Sequence, residues 1–169
     1  MTKVFLDTNS VNIRENIYLD RINQLYEGNI IDIWVSDAFD ADVLGGILNS
    51  EDNLPENKRE SALKRIEKSK RYSKAHGALI LDSPTLGLLD ECALDCIGKE
   101  EIIQTILFPK VAQMNDNQLL DVRHLSVAEA NKCSFFITQD NDFLNKKEAI
   151  FKELTIKVIH PKDFCIIFS

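Results

Sequence analysis

The sequence predicts an α/β fold in which helices cover both faces of a parallel sheet. Short strand-like segments alternate with longer helical ones along the 169 residues, an order typical of βαβ units. The strand-like segments are continuously apolar, as expected of strands that are buried on both faces. Hydrophobic residues make up 44% of the chain, which is enough for a substantial core.

Strands are predicted where short apolar runs are bounded by polar or turn-forming residues. Such runs lie at residues 3–6, 31–35, 78–81, 134–138 and 156–159. The first run ends directly on Asp7, and Asp140 lies just past the fourth. Parallel strands end at one edge of the sheet, where ligands bind in this architecture, so both carboxylates are expected at that edge.

Helices are predicted where apolar residues recur with helical spacing after a capping residue. They extend from Asn9 or Ser10 to Tyr26, from the cap Ser36 to about Leu44, and over residues 57–74, 86–96, 99–113, 118–131 and 146–154, with a loop at 139–143. Asp121 is placed in the first turn of helix 118–131, which leads directly into the fourth strand. A right-handed crossover puts this helix start at the same edge as Asp7.

Four carboxylates therefore converge at one end of the predicted sheet, since Asp42 lies in the helix that follows the second strand, about one and a half turns after its cap. Carboxylates brought together without a cation repel one another, and the pKa values of some of them rise. A hard divalent cation removes this repulsion, and an all-oxygen site suits Mg²⁺ or Mn²⁺. Such a metal serves phosphodiester hydrolysis. Taken singly, each aspartate also fits an ordinary role as a helix cap or loop residue.

Three blocks of the sequence resemble the PIN-domain family. Residues 4–9 (Val-Phe-Leu-Asp-Thr-Asn) look like its opening strand, and residues 121–128 (Asp-Val-Arg-His-Leu-Ser-Val-Ala) resemble its Asp-x-x-His-Leu-x-x-Ala helix. Residues 135–143 (Phe-Phe-Ile-Thr-Gln-Asp-Asn-Asp-Phe) are similar to its strand and loop Phe-x-Thr-x-Asp-x-Asp-Phe. The resemblance implies a three-layer α/β/α fold with a central, mainly parallel five-stranded sheet. Small PIN toxins are shorter, so residues 1–169 are interpreted as one PIN-like domain with a helical insertion at about 50–115.

The function that this resemblance implies is that of a cytoplasmic endoribonuclease dependent on Mg²⁺ or Mn²⁺. Many such proteins are toxins that a small antitoxin-like protein silences by entering the acidic groove. The implied metal ligands are Asp7, Asp121, Asp140 and, as a second candidate in the last loop, Asp142. Thr138, or Thr8, would orient the site by hydrogen bonds. His124 is expected to be buried and to orient the neighbouring aspartate.

The second acidic position departs from the family pattern. The family usually has Glu there, whereas counting from Ser36 gives the shorter Asp42, with Asp40 as a nearby competitor. This departure motivates a second interpretation, a catalytically weak or inactive PIN-like module that binds nucleic acid or protein. A receiver-like signalling domain is a third, but receivers need a lysine at the end of the last core strand, where this chain has Ile159-His160-Pro161.

Charge gives two opposite indications about a nucleic-acid substrate. Aspartate and glutamate outnumber lysine and arginine by 27 to 20, and the net charge of −7 argues mildly against an RNA or DNA substrate. The predicted helix 57–74 nevertheless holds 8 of the 20 basic residues. Candidates for phosphate contacts there are Lys64, Arg65, Lys68 and Arg71. A solvated helix face is the alternative explanation.

Location and assembly are predicted from simpler features. The apolar runs are too short to span a bilayer, and the start of the chain does not read as a secretory signal. The four cysteines are interpreted as reduced thiols, mostly packed as small apolar groups. These features favour the cytoplasm and no membrane partner. A homodimer stays open, because the sequence does not determine the oligomeric state.

Overall fold

A five-stranded parallel sheet forms the centre of the protein. The computed structural model describes residues 1–11, 17–36, 39, 43, 56–75, 91–111 and 113–168. The strand order is β3-β2-β1-β4-β5, and every pairing is parallel. The strands are β1 Thr2–Leu6, β2 Ile31–Ser36, β3 Ser73–Ala75, β4 Phe135–Ile137 and β5 Lys157–Ile159. The predicted five-stranded parallel sheet is confirmed, with β1 at its centre.

Helices pack on both faces of this sheet. They are α1 Ile17–Glu27, α2 Glu56–Ser69, α3 Glu91–Leu107, α4 Asp116–Ala130, α5 Asn141–Leu144, α6 Lys147–Leu154 and α7 Pro161–Ile167, and a 3-10 turn, Thr8–Ser10, follows β1. The side chains of β1 alternate between two core clusters. Phe5 packs with apolar residues of α3, α4 and α6, whereas Val4 and Leu6 pack with residues of α1, α2 and α7. The predicted three-layer α/β/α arrangement is therefore confirmed.

The third strand lies earlier in the chain than its apolar run indicated. The predicted helix 57–74 ends at Ser69, and Ser73–Ala75 pairs with β2 at the edge of the sheet. Tyr72 is buried, and its hydroxyl donates to Asn23 Oδ1 on α1 at 2.6 Å, which fixes the turn before β3. Pairing with β2 thus outweighs local helix preference. The predicted strand 78–81 lies outside the described residues.

Four other elements differ from the prediction. Helix α3 continues through Gly98, where a break was expected, and ends at Leu107. Helix α4 begins at Asp116, so Asp121 lies in its second turn rather than its first. The expected loop 139–143 contains the short helix α5, capped by Asp140. Helix α7 was not predicted, although Pro161 stands at its first position, where proline is favoured.

Helix α4 has a reciprocal cap at its start. The Asn115 side chain accepts from the backbone N–H of Gln118 at 3.0 Å, and the Gln118 side chain accepts from the backbone N–H of Asn115 at 3.1 Å. This capping box satisfies two otherwise unpaired donors. It fixes the start of the helix that carries Asp121 and His124. Among the helices that the structure describes, none has the length and apolar composition to cross a membrane.

We predict that Asn115→Ala lowers the free energy of unfolding by about 1 kcal/mol, because the N-cap hydrogen bond is lost. Urea denaturation followed by circular dichroism measures the change. Asn117→Ala is the matched control, since Asn117 is an exposed asparagine in the first turn of the same helix. That variant is expected to unfold at or slightly above the wild-type urea concentration. Equal stability of the two variants would contradict the capping role.

Candidate active site

Asp7 is a buried carboxylate at the end of the central strand. Its backbone N–H donates to Ile137 O at 3.0 Å, so the residue continues the pairing of β1 with β4. The side chain accepts hydrogen bonds from Thr8 N at 2.8 Å and from Thr138 Oγ1 at 2.7 Å, and His124 Nδ1 lies 3.2 Å from its Oδ1. These contacts compensate for the burial of a carboxylate that is only 4% exposed.

Thr138 joins the two aspartate-bearing segments through one hydroxyl. It is fully buried directly after β4. Its Oγ1 donates to Asp7 Oδ2 and accepts from the backbone N–H of Asp140 at 3.0 Å. Asn9, which the sequence analysis did not single out as a site residue, lies 3.4 Å from the same hydroxyl and accepts from Gln139 N at 3.3 Å. The signal for Asn9 was its place after Asp-Thr in the first block.

Asp140 and Asp142 lie side by side at the start of α5. The Asp140 side chain caps this short helix by accepting from Asp142 N at 2.8 Å. Asp140 is partly buried, whereas Asp142 is exposed in the first turn. Both therefore lie at the edge of the sheet where β1 and β4 end. We call this the carboxyl edge, and we call the group Asp7, Asp121, Asp140 and Asp142 the acidic site.

Asp121 is electrostatically coupled to the rest of the acidic site. Its pKa is raised to about 7, first by burial and then by the negative charges of Asp7, Asp140 and Asp142, while His124 acts in the opposite direction. The carboxylates of β1, α4 and α5 therefore act on one another at the carboxyl edge. His124 is buried, as expected; its Nδ1 contacts Asp7, a partner far away in the sequence, and it also lowers the pKa of Asp121.

The described side chains do not form a complete set of metal ligands. Within the described ranges, no group of three or more His, Cys, Asp or Glu side chains is arranged to hold a metal ion. The oxygens of Asp7 accept hydrogen bonds, and one oxygen of Asp140 caps α5. Asp42 and its competitor Asp40 lie outside the described residues. The structure thus brings four of the predicted acidic residues to one edge without closing a ligand shell.

Of the four predicted phosphate contacts, Arg65 is the one that reaches this edge. Its Nη2 donates to Thr8 O, next to Asp7. Lys64 is exposed and pairs with Glu60, and Lys68 lies half-buried in the last turn of α2. Arg71 pairs with Glu27 at 3.4 Å. Since β3 begins just after Arg71, and α1 ends at Glu27 before β2, this pair lies at the opposite edge of the sheet.

Comparison with solved structures identifies the fold. No protein-family model matches the sequence, and no curated protein matches it. A chain of VapBC2 from Rickettsia felis, in a crystal structure bound to a DNA fragment from their promoter, is 15% identical with a TM-score of 0.57, covering 94% of this chain and 98% of that chain. A chain of VapBC-5 from Mycobacterium tuberculosis, a member of the VapBC family of toxin-antitoxin systems, is 15% identical with a TM-score of 0.56, covering 95% and 99%.

The fold is PIN-like. The likeness extends over nearly the whole of each compared chain, which agrees with the three-layer arrangement around a parallel sheet. It confirms, at the level of the fold, the resemblance that the three sequence blocks indicated. Within this fold, the aspartates of the acidic site lie past the ends of β1 and β4 and on α4.

We predict that Asp121 makes the protein less stable as the pH rises. Its pKa is raised from 3.8 to about 7 in the folded protein, so between these values the folded state holds a proton that the unfolded state has lost. Each pH unit in this window lowers the free energy of unfolding by up to about 1.4 kcal/mol, and the loss is complete above about pH 7. Urea denaturation in metal-free buffer at about pH 5 and about pH 8 compares wild type with Asp121→Asn.

The wild type is expected to lose stability relative to Asp121→Asn between the two pH values. Asp121→Asn retains all the other titrating groups, so it shows how much those groups contribute to the pH dependence of the wild type. The same pH dependence in both proteins would show that burial and the neighbouring carboxylates do not hold Asp121 in its protonated form.

Proposed function

We propose that this protein is a divalent-metal-dependent endoribonuclease that hydrolyses RNA phosphodiester bonds at the acidic site. The observation that carries the proposal is the convergence of carboxylates from three separate segments. Asp7 and Asp140 are tied to the same Thr138 hydroxyl, and the charges of both act on Asp121. Carboxylates grouped at the carboxyl edge of a parallel sheet are suited to bind a cation.

The chemistry of the donors fits Mg²⁺ or Mn²⁺. All the charged donors of the acidic site are carboxylate oxygens, which hard cations prefer. Asp121 and Asp140 would hold the ion, with Asp7 contributing directly or through water and Asp142 and Asp42 as further candidates. Thr8, next to Asp7, has a buried hydroxyl with no partner among the described residues, which supports a ligand at this place. When bound, the metal supplies an activated water and neutralises charge on the phosphate.

The surrounding residues hold the carboxylates in position. Thr138 donates to one oxygen of Asp7, and Thr8 N and His124 contact the other, so the carboxylate plane is fixed. Because the Asp7 oxygen can only accept, the hydrogen bond from His124 requires the proton to be on Nδ1. Such outer contacts orient metal ligands and are typically needed for full activity.

A toxin-type role with a small antitoxin-like partner is the finer part of the proposal. It is supported by the likeness to VapBC structures, one of which is described as a member of a toxin-antitoxin family. A partner segment with basic side chains would complement the acidic site. Cytoplasmic location belongs to the same proposal, and a homodimer stays a prediction from the sequence.

A catalytically weak binding module is the second candidate function. It is favoured by the absence of a ready-made metal group within the described part of the chain. The two functions differ in one assay, because a binding module retains RNA without cleaving it, whereas an endoribonuclease shortens it.

The proposal is tested by incubating the protein with a mixed RNA pool, with Mn²⁺ or with EDTA. The wild type is expected to cleave RNA with Mn²⁺ only. Asp140→Asn is expected to lose activity by about 100-fold or more, because a direct ligand matters at least as much as the outer contacts that cost about 10- to 100-fold. Glu153→Gln is the matched control, since Glu153 is exposed near the end of α6, away from the acidic site. Intact RNA in every arm would overturn the proposal.

We predict that Thr138→Val lowers the rate of RNA cleavage by about 10- to 100-fold, because it removes the donor that orients Asp7. Valine has nearly the same shape as threonine, so the buried volume is preserved. Thr138→Ser is the control, since it keeps the hydroxyl. Initial rates with saturating Mn²⁺ measure the effect. Full activity of the valine variant would mean that the Thr138 hydrogen bond does not position the site.

A further inference from the structure

Arg65 brings a fixed positive charge to the acidic site. It lies on α2, and its Nη2 donates to the carbonyl of Thr8, the residue that follows Asp7. The guanidinium therefore lies beside the buried carboxylate at the end of β1. Burial lowers the pKa of Arg65, and the charge of Asp7 raises it. Arginine stays protonated under either influence.

Two buried polar groups at this contact have no hydrogen-bond partner within the described part of the chain. One is Nε of Arg65 and the other is Oγ1 of Thr8. The two groups belong to residues that are joined by the hydrogen bond from Arg65 Nη2 to Thr8 O. A buried donor without an acceptor is costly, and native proteins seldom leave one unless a ligand or water completes it. Arg65 Nε and Thr8 Oγ1 are therefore both available as donors to an acceptor with more than one oxygen.

Three other basic residues of α2 and of the turn that follows it pair with carboxylates. Lys64 pairs with Glu60, Lys70 pairs with Glu67 at 2.6 Å, and Arg71 pairs with Glu27. Arg65 instead forms its described hydrogen bond with a backbone carbonyl. Its charge is therefore not neutralised by a hydrogen-bonded carboxylate within the described residues, although it lies close to one.

We propose that Arg65 binds the phosphate of the RNA at the point of cleavage, with the Thr8 hydroxyl as an additional donor. The inference rests on the proposed function and names the residue that brings the substrate anion to an acidic site. The four carboxylates repel an approaching phosphate, and the positive charge of Arg65 opposes this repulsion. A guanidinium also presents several donors in a planar fork that matches two phosphate oxygens.

The test measures RNA cleavage by Arg65→Gln and Arg65→Lys with Mn²⁺. Loss of a charge-assisted contact is expected to lower kcat/KM of the glutamine variant by about 10- to 100-fold. The lysine variant is expected to recover part of this loss, because it keeps the charge without the fork. The slope of log(kcat/KM) against log salt is negative and is expected to become less steep by about 1 in the glutamine variant, as for the loss of one phosphate contact.

Arg21→Gln is the matched control. Arg21 is an exposed arginine whose Nη2 donates to a backbone carbonyl, that of Phe168, at 3.3 Å. Like Arg65, it donates to a backbone carbonyl, but that carbonyl is not next to Asp7. Its replacement is therefore expected to leave kcat/KM within about 2-fold of wild type.

Calorimetric titration with Mn²⁺ separates phosphate binding from structural support. Removal of a positive charge beside Asp7 is expected to leave Mn²⁺ affinity unchanged or higher. If Arg65 only supported the Thr8 backbone, Mn²⁺ affinity and thermal stability would fall together with activity, and the salt slope would not change. That pattern, or wild-type kcat/KM in Arg65→Gln, would overturn the inference while leaving the proposed function intact.

If the wild type cleaves no RNA, the inference is tested by measuring the binding of a fluorescent single-stranded RNA oligonucleotide to the wild type and to Arg65→Gln. If the wild type binds this RNA and Arg65→Gln binds it at least about 10-fold more weakly, the Arg65 inference is supported and only the proposed hydrolysis is overturned. If both bind equally, or if the wild type neither cleaves nor binds RNA, the Arg65 inference is overturned.

Discussion

Burial of the Asp7 carboxylate constrains the whole carboxyl edge of this protein. An ionised carboxylate inside a protein is unfavourable unless hydrogen bonds replace its lost water. Here the compensating groups come from the residue after β1, from the end of β4 and from α4: Thr8 N, Thr138 Oγ1 and His124 Nδ1. The strands and the helix must therefore keep one relative position, which the apolar packing of Phe5 against Phe136 also favours.

The same constraint leaves the remaining charges of the edge unbalanced. Asp7 is satisfied by hydrogen bonds, but its charge still acts on Asp121, whose pKa rises to about 7 under burial and under the charges of its neighbours. Arg65 also lies close to Asp7, and within the described residues its Nε has no hydrogen-bond partner. A site that combines surplus negative charge with an incompletely bonded cation is suited to bind a metal ion and a phosphate together. This agrees with the proposed hydrolysis of RNA.

Part of the site could be predicted from the sequence, because two of its aspartates come just after predicted strands. Asp7 ends an apolar run and Asp140 follows another, and parallel pairing of β1 with β4 suffices to bring both to one edge. Asp121 was placed correctly at that edge although its helix begins two residues earlier than expected, at Asp116. The sequence could not rank the basic residues near α2, since whether Arg65 or Arg71 meets the acidic site depends on how α2 lies on the sheet.

The sequence by itself determined the α/β class, the parallel sheet and the edge that holds the aspartates, because apolar runs and capping residues are local patterns. Tertiary structure alone decided that Ser73–Ala75 is a strand, since pairing with β2 overrides local helix preference. It also decided that His124 contacts Asp7 and that Arg65 reaches Thr8. These partners are separated by 117 and 57 residues, so their contacts depend on the packing of whole elements and not on neighbouring residues.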